Sequence, residues 1–282
     1  MLTMSNDIDP WELPPLDFWA GRMLWKYLLI LPFKVFFALP LMTVSSFFYI
    51  VFLPYSLPFS KVLHRLTFWA WRLFLGISLE IRDLRSDPHR RTKITVLNHA
   101  SYMDGLVVGS VFYKFRTIAA FWAFSLPIYG HWLKASKSIP LYRAKENKNN
   151  AALIHADDSD STITLTVEGT MTNGKGLIKF RTGAFIGKAE VQPVVLQYLN
   201  DEFNTCWVKM TSPLWKHLIM AISQVRNPVK VTFLEPYFPS DEEKENPTLY
   251  SENVRKYMSE QTGLPLIDAT YKDSPVLKAG GE

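Results

Sequence analysis

The chain has 282 residues, of which 48% are hydrophobic, 14% aromatic and only 20% charged, and its formal net charge is +5. This length suits one main domain, and the apolar excess near the start indicates membrane association rather than an ordinary soluble protein. The single cysteine, Cys206, excludes an internal disulfide framework and a CxxC zinc or redox site. The modest positive charge suits anionic lipid or a phosphorylated cofactor, without indicating a nucleic-acid-binding protein.

The N-terminal region contrasts an acidic start with a long apolar stretch. The first eighteen residues hold four acidic residues and no basic residue, the reverse of the cationic start of a signal peptide, so we expect no secretion by that route. Residues 27–59 carry Lys34 as their only charge. Such a uniformly apolar stretch predicts entry into a bilayer.

The prolines of this stretch leave two predicted arrangements. A break at Pro40 would give a membrane hairpin with two legs, each too short to cross the ~30 Å hydrocarbon core. Basic residues lie on both flanks of the stretch: Arg22, Lys26, Lys61, Arg65 and Arg72. By the positive-inside rule, a hairpin then has both ends in the cytosol. The alternative is a single tilted span over residues 35–53.

The composition and the hydrophobic pattern of the sequence change after the apolar stretch. The aromatic-rich residues 66–79 are typical of a helix that lies at the membrane surface or is buried against the domain. Beyond them, short β-type runs alternate with helical stretches, which predicts an α/β domain with a mixed central sheet flanked by helices. We expect strands at residues 94–97, 139–142, 162–167, 191–198, 206–210 and 229–234.

The segment VLNHASYMDGL, residues 96–106, places His99 and Asp104 five positions apart directly after a predicted strand. Because this spacing is not helical, the pair needs a turn that folds the Asp104 carboxylate back onto the imidazole, with a helix starting at Asp104. One ring nitrogen would then stay protonated while the other accepts a proton, which suits a general base. His155 and Asp160 repeat the spacing, but their acidic surroundings are typical of a surface loop.

A second predicted strand delivers Glu168 into the glycine-rich turn EGTMTNG. Glycines let a backbone approach a ligand closely, and cations that follow them suit phosphate. These cations are Lys175, Lys179 and Arg181. Taken alone, they are equally typical of a solvated helix face.

Together, NHASYMD and VEGTMTNG resemble the first and third motifs of the glycerolipid acyltransferases, the group that includes the lysophosphatidic acid acyltransferases. FSLPIYGHWLKASKSIPLYR, residues 124–143, resembles the second block, and VQPVVLQY, residues 191–198, resembles the fourth. The resemblance covers residues 60–272 and is greatest to the lysophosphatidylcholine acyltransferase branch. We do not expect the calcium-binding extension of that branch, because no DxDxDG-type loop occurs in the sequence.

The resemblance implies transfer of an acyl group from acyl-CoA to the free hydroxyl of a lysophospholipid, either lysophosphatidic acid or a lysophospholipid with a choline or ethanolamine headgroup. His99 and Asp104 form the family's HxxxxD motif, with the imidazole as base and the carboxylate orienting it. Glu168 would contact the glycerol of the acceptor. The remaining residues implied in substrate binding are Gly169, Thr170, Arg143, Lys175, Lys179 and Arg181.

The resemblance also implies the surroundings of the reaction. No bound cofactor or metal is expected; acyl-CoA is a co-substrate, and the cluster Asp157, Asp158 and Asp160 lacks the turn glycine of a calcium loop. The expected partners are membrane lipid, the lysophospholipid and acyl-CoA, with no nucleic acid and with the oligomeric state open. The expected location is the membrane of the endoplasmic reticulum or a lipid droplet, with the catalytic domain facing the cytosol.

The predicted organisation has four parts. These are an N-terminal tail (1–22), a membrane-associated segment with the interfacial helix (23–80), the acyltransferase catalytic domain (81–272) and a flexible tail (273–282). The alternative function is a membrane-anchored adaptor that keeps the fold without the chemistry. A serine or thioester hydrolase is disfavoured because the sequence has no GxSxG elbow.

Two positions depart from the family pattern. Many relatives that make phosphatidate read EGTR, with the arginine implicated in holding the acceptor's phosphate, whereas this chain has Met171. A glycine that is common in the second block corresponds to Lys137. The donors for the oxyanion are expected among backbone N–H groups of the turn after His99 or of the second block.

Overall fold

The computed structural model describes residues 8–13, 17–52, 59–90, 92–113, 115–126, 129–141, 162–200, 202–207 and 213–278. Two sets of residues considered above lie outside these ranges. They are Arg143 of the second block and the acidic stretch with His155, Asp157, Asp158 and Asp160.

A continuous helix begins at Gly21 and ends at Phe52, so the predicted break at Pro40 is wrong. It consists of α1 (Gly21–Phe33), a π-turn (Lys34–Ala38) and α2 (Leu39–Phe52). The N–H of Leu39 bonds to the carbonyl of Lys34, five residues back, and this wider turn accommodates the proline that follows. Within the described residues, this is the one helix long and apolar enough to cross a membrane.

The helix α3 (Ser60–Leu75) packs against α2 as the second arm of a helical hairpin. The contacts of Tyr49 with His64 and of Ser45 with Thr67 show that the two arms run antiparallel. The predicted helix over residues 66–79 is wrong at its end. Gly76 adopts a left-handed conformation with φ of 72° that caps α3, and the strand β1 (Ile77–Asp83) follows at once.

Seven strands of the described residues form one sheet. After β1 they are β2 (Ile94–Leu97), β3 (Phe115–Ala120), β4 (Ile139–Leu141), β5 (Thr162–Thr166), β6 (Val191–Tyr198) and β7 (Asn227–Phe233). Their order in the sheet is β1-β7-β6-β2-β5-β3-β4, and β6 pairs with β7 in the antiparallel sense while the other neighbouring pairs are parallel. The mixed sheet agrees with the fold expected from the sequence.

The predicted strands agree with the structure unevenly. Strands β2 and β6 have the predicted bounds, and β4, β5 and β7 lie within two residues of theirs. The strand predicted at 206–210 is wrong for its described part, because the N–H of Cys206 bonds to Asn204 Oδ1 at 2.8 Å in a loop. Strands β1 and β3 were not predicted.

Helices cover both faces of the sheet. Besides α1–α3, the described helices are α4 (Asp104–Val111), α5 (Tyr129–Ala135), α6 (Leu214–Ser223), α7 (Asp241–Glu245), α8 (Pro247–Thr262) and α9 (Pro275–Lys278). Alternate residues of a strand point to opposite faces. Accordingly, Leu97 packs in the core shared with α2–α6, whereas the neighbouring Val96 packs in the core shared with α8.

The long helix docks onto the domain along both of its halves. Near its start, Lys26 Nζ donates to Gln224 Oε1 at 2.9 Å and pairs with Glu202. At the π-turn, the buried Lys34 donates from Nζ to the carbonyl of Gln224 at 2.7 Å. The α2 half packs against α3, as the contacts of Tyr49 show. Lys26 is therefore ion-paired with the sheet domain, and Lys34 is bound to it through a backbone carbonyl.

The outer side of this helix and of α3 presents large apolar side chains, which we call the apolar face. Its most exposed members include Leu28, Leu29, Phe36, Phe37, Phe47 and Val62. An exposed apolar patch of this extent is unusual for a soluble monomer and marks an interaction with membrane or protein.

The predicted divisions of the chain differ from the bounds of the elements. The boundary between residues 80 and 81 falls inside β1, which belongs to the central sheet. In the predicted tails, Trp11 is buried and Ser274 is fully buried. Both chain regions therefore contribute to the packed domain.

Candidate active site

The carboxyl ends of three neighbouring strands, β6, β2 and β5, meet at one edge of the sheet. Asn98, the first residue after β2, extends the pairing with β6 through its side chain: Nδ2 donates to Leu196 O at 2.9 Å and Oδ1 accepts from Leu196 N at 2.8 Å. The chain then leaves the sheet. His99 follows at the edge where parallel α/β sheets usually carry their functional groups.

The turn brings His99 and Asp104 together. The Nδ1 atom of His99 lies 2.7 Å from Asp104 Oδ2, and α4 begins at Asp104, as predicted. The same carboxylate oxygen accepts backbone N–H groups from Ala100 at 3.0 Å and Ser101 at 3.2 Å. Because an ionised carboxylate only accepts, Nδ1 carries the proton and Nε2 is left to accept one.

Tyr198, the last residue of β6, is a part of this arrangement that the sequence did not single out. Its hydroxyl donates to Asp104 Oδ1 at 2.7 Å, so both oxygens of the carboxylate are bound. Burial and the charge of Asp104 raise the pKa of Tyr198 well above its ordinary value, so the hydroxyl keeps its proton. The signal was present in the fourth block, which ends at this tyrosine.

Glu168 lies beside this turn, but differently from the predicted contact with the acceptor. Its side chain is 0% exposed, Oε2 accepts the N–H of His99 at 2.6 Å and Oε1 accepts the N–H of Ile178 at 3.1 Å. With both oxygens occupied, the carboxylate joins the end of β2 to the segment that follows the glycine-rich turn. Burial raises the pKa of Glu168 to about 8, although the two N–H groups act in the opposite direction.

The backbone donors of the catalytic turn are already used. The N–H of His99 bonds to Glu168, and those of Ala100 and Ser101 bond to Asp104. These three groups, which were among the expected oxyanion donors, are therefore committed to holding the turn in place.

Gly169 and Thr170 connect Glu168 to the C-terminal region. Gly169 has φ of 72°, and a Cβ atom there would meet Arg181 Cδ at 2.3 Å, so only glycine suits the position. The guanidinium of Arg181 stacks on Tyr271, with Cζ 4.6 Å from the ring centroid. Thr170 Oγ1 donates to Ser274 Oγ at 3.2 Å.

The three predicted cations are not equivalent. Lys179 forms an ion pair with Asp268, whereas Lys175 is exposed to solvent. Arg181 is half-buried against the Glu168 turn. No α-helix begins after Gly176 in the described segment 162–200; residues 178–181 are irregular and a single 3-10 turn follows at Thr182–Ala184. Lys175 directly follows the glycine-rich turn, whereas Arg181 reaches it with its side chain, which packs against Gly169.

The two departures from the family pattern have visible structural roles. The sulfur of Met171 accepts the N–H of Trp207 at 3.4 Å and the side chain packs on the apolar cluster around Trp11. Lys137 has φ of 55°, a left-handed conformation that is unusual for a residue with a side chain. The glycine that the family resemblance implies at this position would adopt this conformation without strain.

An apolar cavity of about 30 Å³ lies next to the His99–Asp104 pair. Gly105 and Leu106, which follow Asp104 in α4, form one wall, and α5 contributes Tyr129 and Trp132. The opposite wall comes from the hairpin of α2 and α3. Tyr129 lies close to the start of α4, because a Cβ atom on Gly105 would be 3.3 Å from its hydroxyl. Burial and the charge of Asp104 raise the pKa of Tyr129 to about 12.

Within the described ranges, no group of three or more histidine, cysteine, aspartate or glutamate side chains is arranged to hold a metal ion.

The fold and this site define an acyltransferase-type α/β domain, and comparison with known proteins agrees. The Acyltransferase family model matches residues 78–197. The crystal structure of the 1-acyl-sn-glycerophosphate (LPA) acyltransferase PlsC from Thermotoga maritima superposes with a TM-score of 0.55 and 16% identity, covering 86% of this chain and 98% of that chain. At this identity, the likeness concerns the fold.

Curated proteins found by sequence have higher identity to this chain than the solved structure has. Lysophosphatidylcholine acyltransferase 1 from Homo sapiens is 31% identical over 208 residues, covering 72% of this chain and 39% of the relative. Lysophospholipid acyltransferase LPEAT1 from Arabidopsis thaliana is 32% identical over 203 residues, covering 68% of this chain and 50% of the relative. The chain thus spans half or less of the length of these curated relatives. It belongs to the glycerolipid acyltransferase family.

Proposed function

We propose that the protein transfers a fatty acyl group from acyl-CoA to the free hydroxyl of a lysophospholipid. The observation that carries this proposal is the His99–Asp104 pair, 2.7 Å apart at the carboxyl edge of the sheet and adjacent to an apolar cavity. Membership of the glycerolipid acyltransferase family supports the reaction type. The acceptor is lysophosphatidic acid or a lysophospholipid with a choline or ethanolamine headgroup.

In the proposed reaction, Nε2 of His99 removes the proton of the acceptor hydroxyl as its oxygen attacks the carbonyl carbon of the thioester. The new ester C–O bond forms, the C–S bond breaks, and the imidazolium returns the proton to the leaving thiolate. Asp104 stabilises the imidazolium. A base held in this way contributes about 10²- to 10⁴-fold to the rate.

We assign the apolar cavity to the acyl chain close to the thioester carbonyl. Its walls are formed by the residues after Asp104 and by the helical hairpin, and its volume of about 30 Å³ suits a short part of the acyl chain. Aromatic and aliphatic walls suit a hydrocarbon ligand and exclude water from the reacting thioester.

On the acceptor side, we assign phosphate binding first to Arg181 and then to Lys175, with Arg143 of the second block as a further candidate. Arg181 presents a planar donor fork beside the glycine-rich turn, whereas Lys179 is already paired with Asp268. Gly169 and Thr170 would line the approach. Glu168 acts in this proposal through the backbone of His99 rather than by contacting the acceptor.

We also propose that the protein lies in one leaflet of the endoplasmic reticulum or lipid droplet membrane, with its catalytic domain in the cytosol. The support is that α1 binds Gln224 of the domain and that α2 shares a cavity wall with α4 and α5, which leaves the apolar face, and not the helix ends, to meet lipid. This arrangement differs from both predicted alternatives, the hairpin broken at Pro40 and the single span over residues 35–53. The hairpin is formed by α2 and α3, and the long helix does not cross the bilayer.

The test is an acyl-transfer assay on membranes that contain the chain, with matched membranes lacking it as control. A panel of lysophosphatidic acid, lysophosphatidylcholine and lysophosphatidylethanolamine is offered with acyl-CoA, and both the phospholipid product and free CoA are measured. We expect one CoA released for each acyl group transferred to at least one acceptor. Absence of transfer to all three, from folded and membrane-bound protein, would favour the adaptor without catalytic activity.

A further inference from the structure

Residues 8–13, which we call the N-terminal strap, are clamped by a single side chain near the active site. Asn173 Nδ2 donates to Asp9 O at 2.9 Å and to Glu12 O at 3.0 Å, and its backbone N–H donates to Pro10 O at 2.7 Å. The Oδ1 atom accepts the N–H of Lys175 at 3.1 Å. Every polar atom of this side chain is thus engaged, and both of its amide hydrogens are used by the strap.

Trp11 anchors the strap from the other side. It is 6% exposed and shares an apolar cluster with Ile178, Cys206 and Ile267. Two of these neighbours belong to the framework of the site. The N–H of Ile178 donates to Glu168, and the thiol of Cys206 donates to Thr172 O at 2.6 Å.

The strap is connected to the catalytic histidine through two adjacent residues. Asn173 binds the strap, and its neighbour Thr172 donates its N–H to His99 O at 2.8 Å. Glu168, braced through Ile178, holds the N–H of the same histidine at 2.6 Å. The N–H and the carbonyl of His99 are therefore both fixed by groups that rest on the strap or on the cluster around Trp11.

We propose that the N-terminal strap positions the catalytic turn, with Trp11 and Asn173 as positioning residues for acyl transfer; this inference rests on the proposed function. Neither side chain touches the reacting atoms. They act by fixing His99 between Thr172 and Glu168, so that its ring keeps the geometry set by Asp104. A displacement of a catalytic group by about 1 Å can cost about 100-fold in rate.

The indole of Trp11 provides a way to separate positioning from general packing. Among the described residues, its Nε1–H is buried without a hydrogen-bond partner. Trp11→Phe keeps an aromatic ring in the cluster and removes this unsatisfied donor, whereas Trp11→Ala removes the ring. Asn173→Asp keeps the acceptor for the N–H of Lys175 but sets a carboxylate against the carbonyl oxygens of Asp9 and Glu12.

The experiment measures kcat, KM for acyl-CoA and thermal unfolding for the full-length protein and its variants in the same vesicles. We expect Trp11→Ala and Asn173→Asp to lower kcat by about 10- to 100-fold with KM for acyl-CoA changed less than about twofold. Trp11→Phe should retain kcat within about threefold. The matched control is Trp19→Ala, because Trp19 is 71% exposed; its kcat per bound protein should change less than about twofold.

The outcomes separate this inference from the proposed function. If the unmodified protein transfers no acyl group, the proposed function fails. If it is active but Trp11→Ala or Asn173→Asp keeps kcat within twofold, the inference is overturned. It is also overturned if both variants show only a raised KM or a lower abundance, because the strap then contributes ordinary packing. Should Trp11→Ala not fold, Asn173→Asp compared with Trp11→Phe decides the question by the same criterion.

Discussion

The catalytic edge of the sheet and the apolar face of the helices differ in how far the protein itself provides partners for their side chains. At the edge, both carboxylate oxygens of Asp104 and of Glu168 are bound by donors from the protein itself. On the apolar face, large side chains such as Leu28 and Phe36 are mostly exposed and are not covered by other described parts of the protein. The polar groups of the first region are satisfied within the protein, whereas the second region is an apolar surface of the kind that binds a membrane or a protein partner.

This difference indicates how the two regions work together. The apolar cavity lies between them, with one wall from α4 and α5 and the other from the α2–α3 hairpin. Lys26 and Lys34, which hold the long helix to the domain, keep that hairpin at a fixed position relative to the dyad. The membrane-facing helices are therefore part of the proposed enzyme rather than a separable anchor.

Apart from the loss of the histidine base, the largest expected effect concerns the apolar face. Phe36→Glu places a charge where lipid is expected, at a cost of about 3 kcal/mol, or on the order of 100-fold in partitioning to vesicles. Phe238→Glu is the matched control, because Phe238 is 57% exposed but lies outside the apolar face. Vesicle flotation measures both. Equal loss of binding in the two variants would show that the face is not the membrane contact.

A smaller effect is expected at Tyr198, within the catalytic edge. Tyr198→Phe removes one donor from the buried Asp104 and should lower kcat by about tenfold, equivalent to about 1.4 kcal/mol. Because the carboxylate is then less neutralised, it stabilises the imidazolium more, and the acidic limb of the kcat/KM profile should move to higher pH. A uniform loss of rate at every pH would instead indicate packing only.

Glu168 should make stability depend on pH. Burial raises its pKa from 4.5 to about 8, so the folded state holds a proton that the unfolded state has released over this range. The contribution of Glu168 to stability is then fully present at low pH and falls as pH rises toward 8, by up to about 1.4 kcal/mol per unit. Glu168→Gln does not titrate, so its thermal unfolding should be flatter with pH, whatever its absolute stability. Parallel curves for the two proteins would contradict the buried-carboxyl account.

The smallest expected effect distinguishes the cations beside the glycine-rich turn. Arg181→Gln should raise the KM for the lysophospholipid about three- to tenfold with little change for acyl-CoA, because its guanidinium lies beside that turn. Lys179→Gln is the paired control, since this lysine already binds Asp268. An unchanged KM for Arg181→Gln would move phosphate binding to Lys175 or Arg143.

The sequence predicted the His99–Asp104 pair better than the residues that hold the pair in place. The turn that joins His99 to Asp104 follows from a buried strand, a non-helical spacing and residues that favour helix starts, all of which are local signals. Tyr198 and the brace by Glu168 depend on β6 and β5 flanking β2, and this order comes from long-range pairing that one sequence does not reveal.

The same limit explains the errors near the membrane. Pro40 carries a strong local signal for a break, but a π-turn and packing on α3 override it. The end of α3 at Gly76 was hidden because Ile77 and its neighbours are as apolar as the helix before them. The strap was classed as a tail because hydrogen bonds to backbone carbonyls, as made by Asn173, leave no pattern in the sequence of the strap.

The central claim is that His99 is the base of acyl transfer, and paired histidine variants test it most directly. His99→Ala and His155→Ala are compared for initial acyl transfer per amount of membrane-bound protein, with acyl-CoA and the best acceptor of the panel. We predict a loss of about 10²- to 10⁴-fold for His99→Ala at unchanged membrane binding, and a change below about twofold for His155→Ala. Equal activity of the two variants, or loss confined to His155→Ala, would contradict the account.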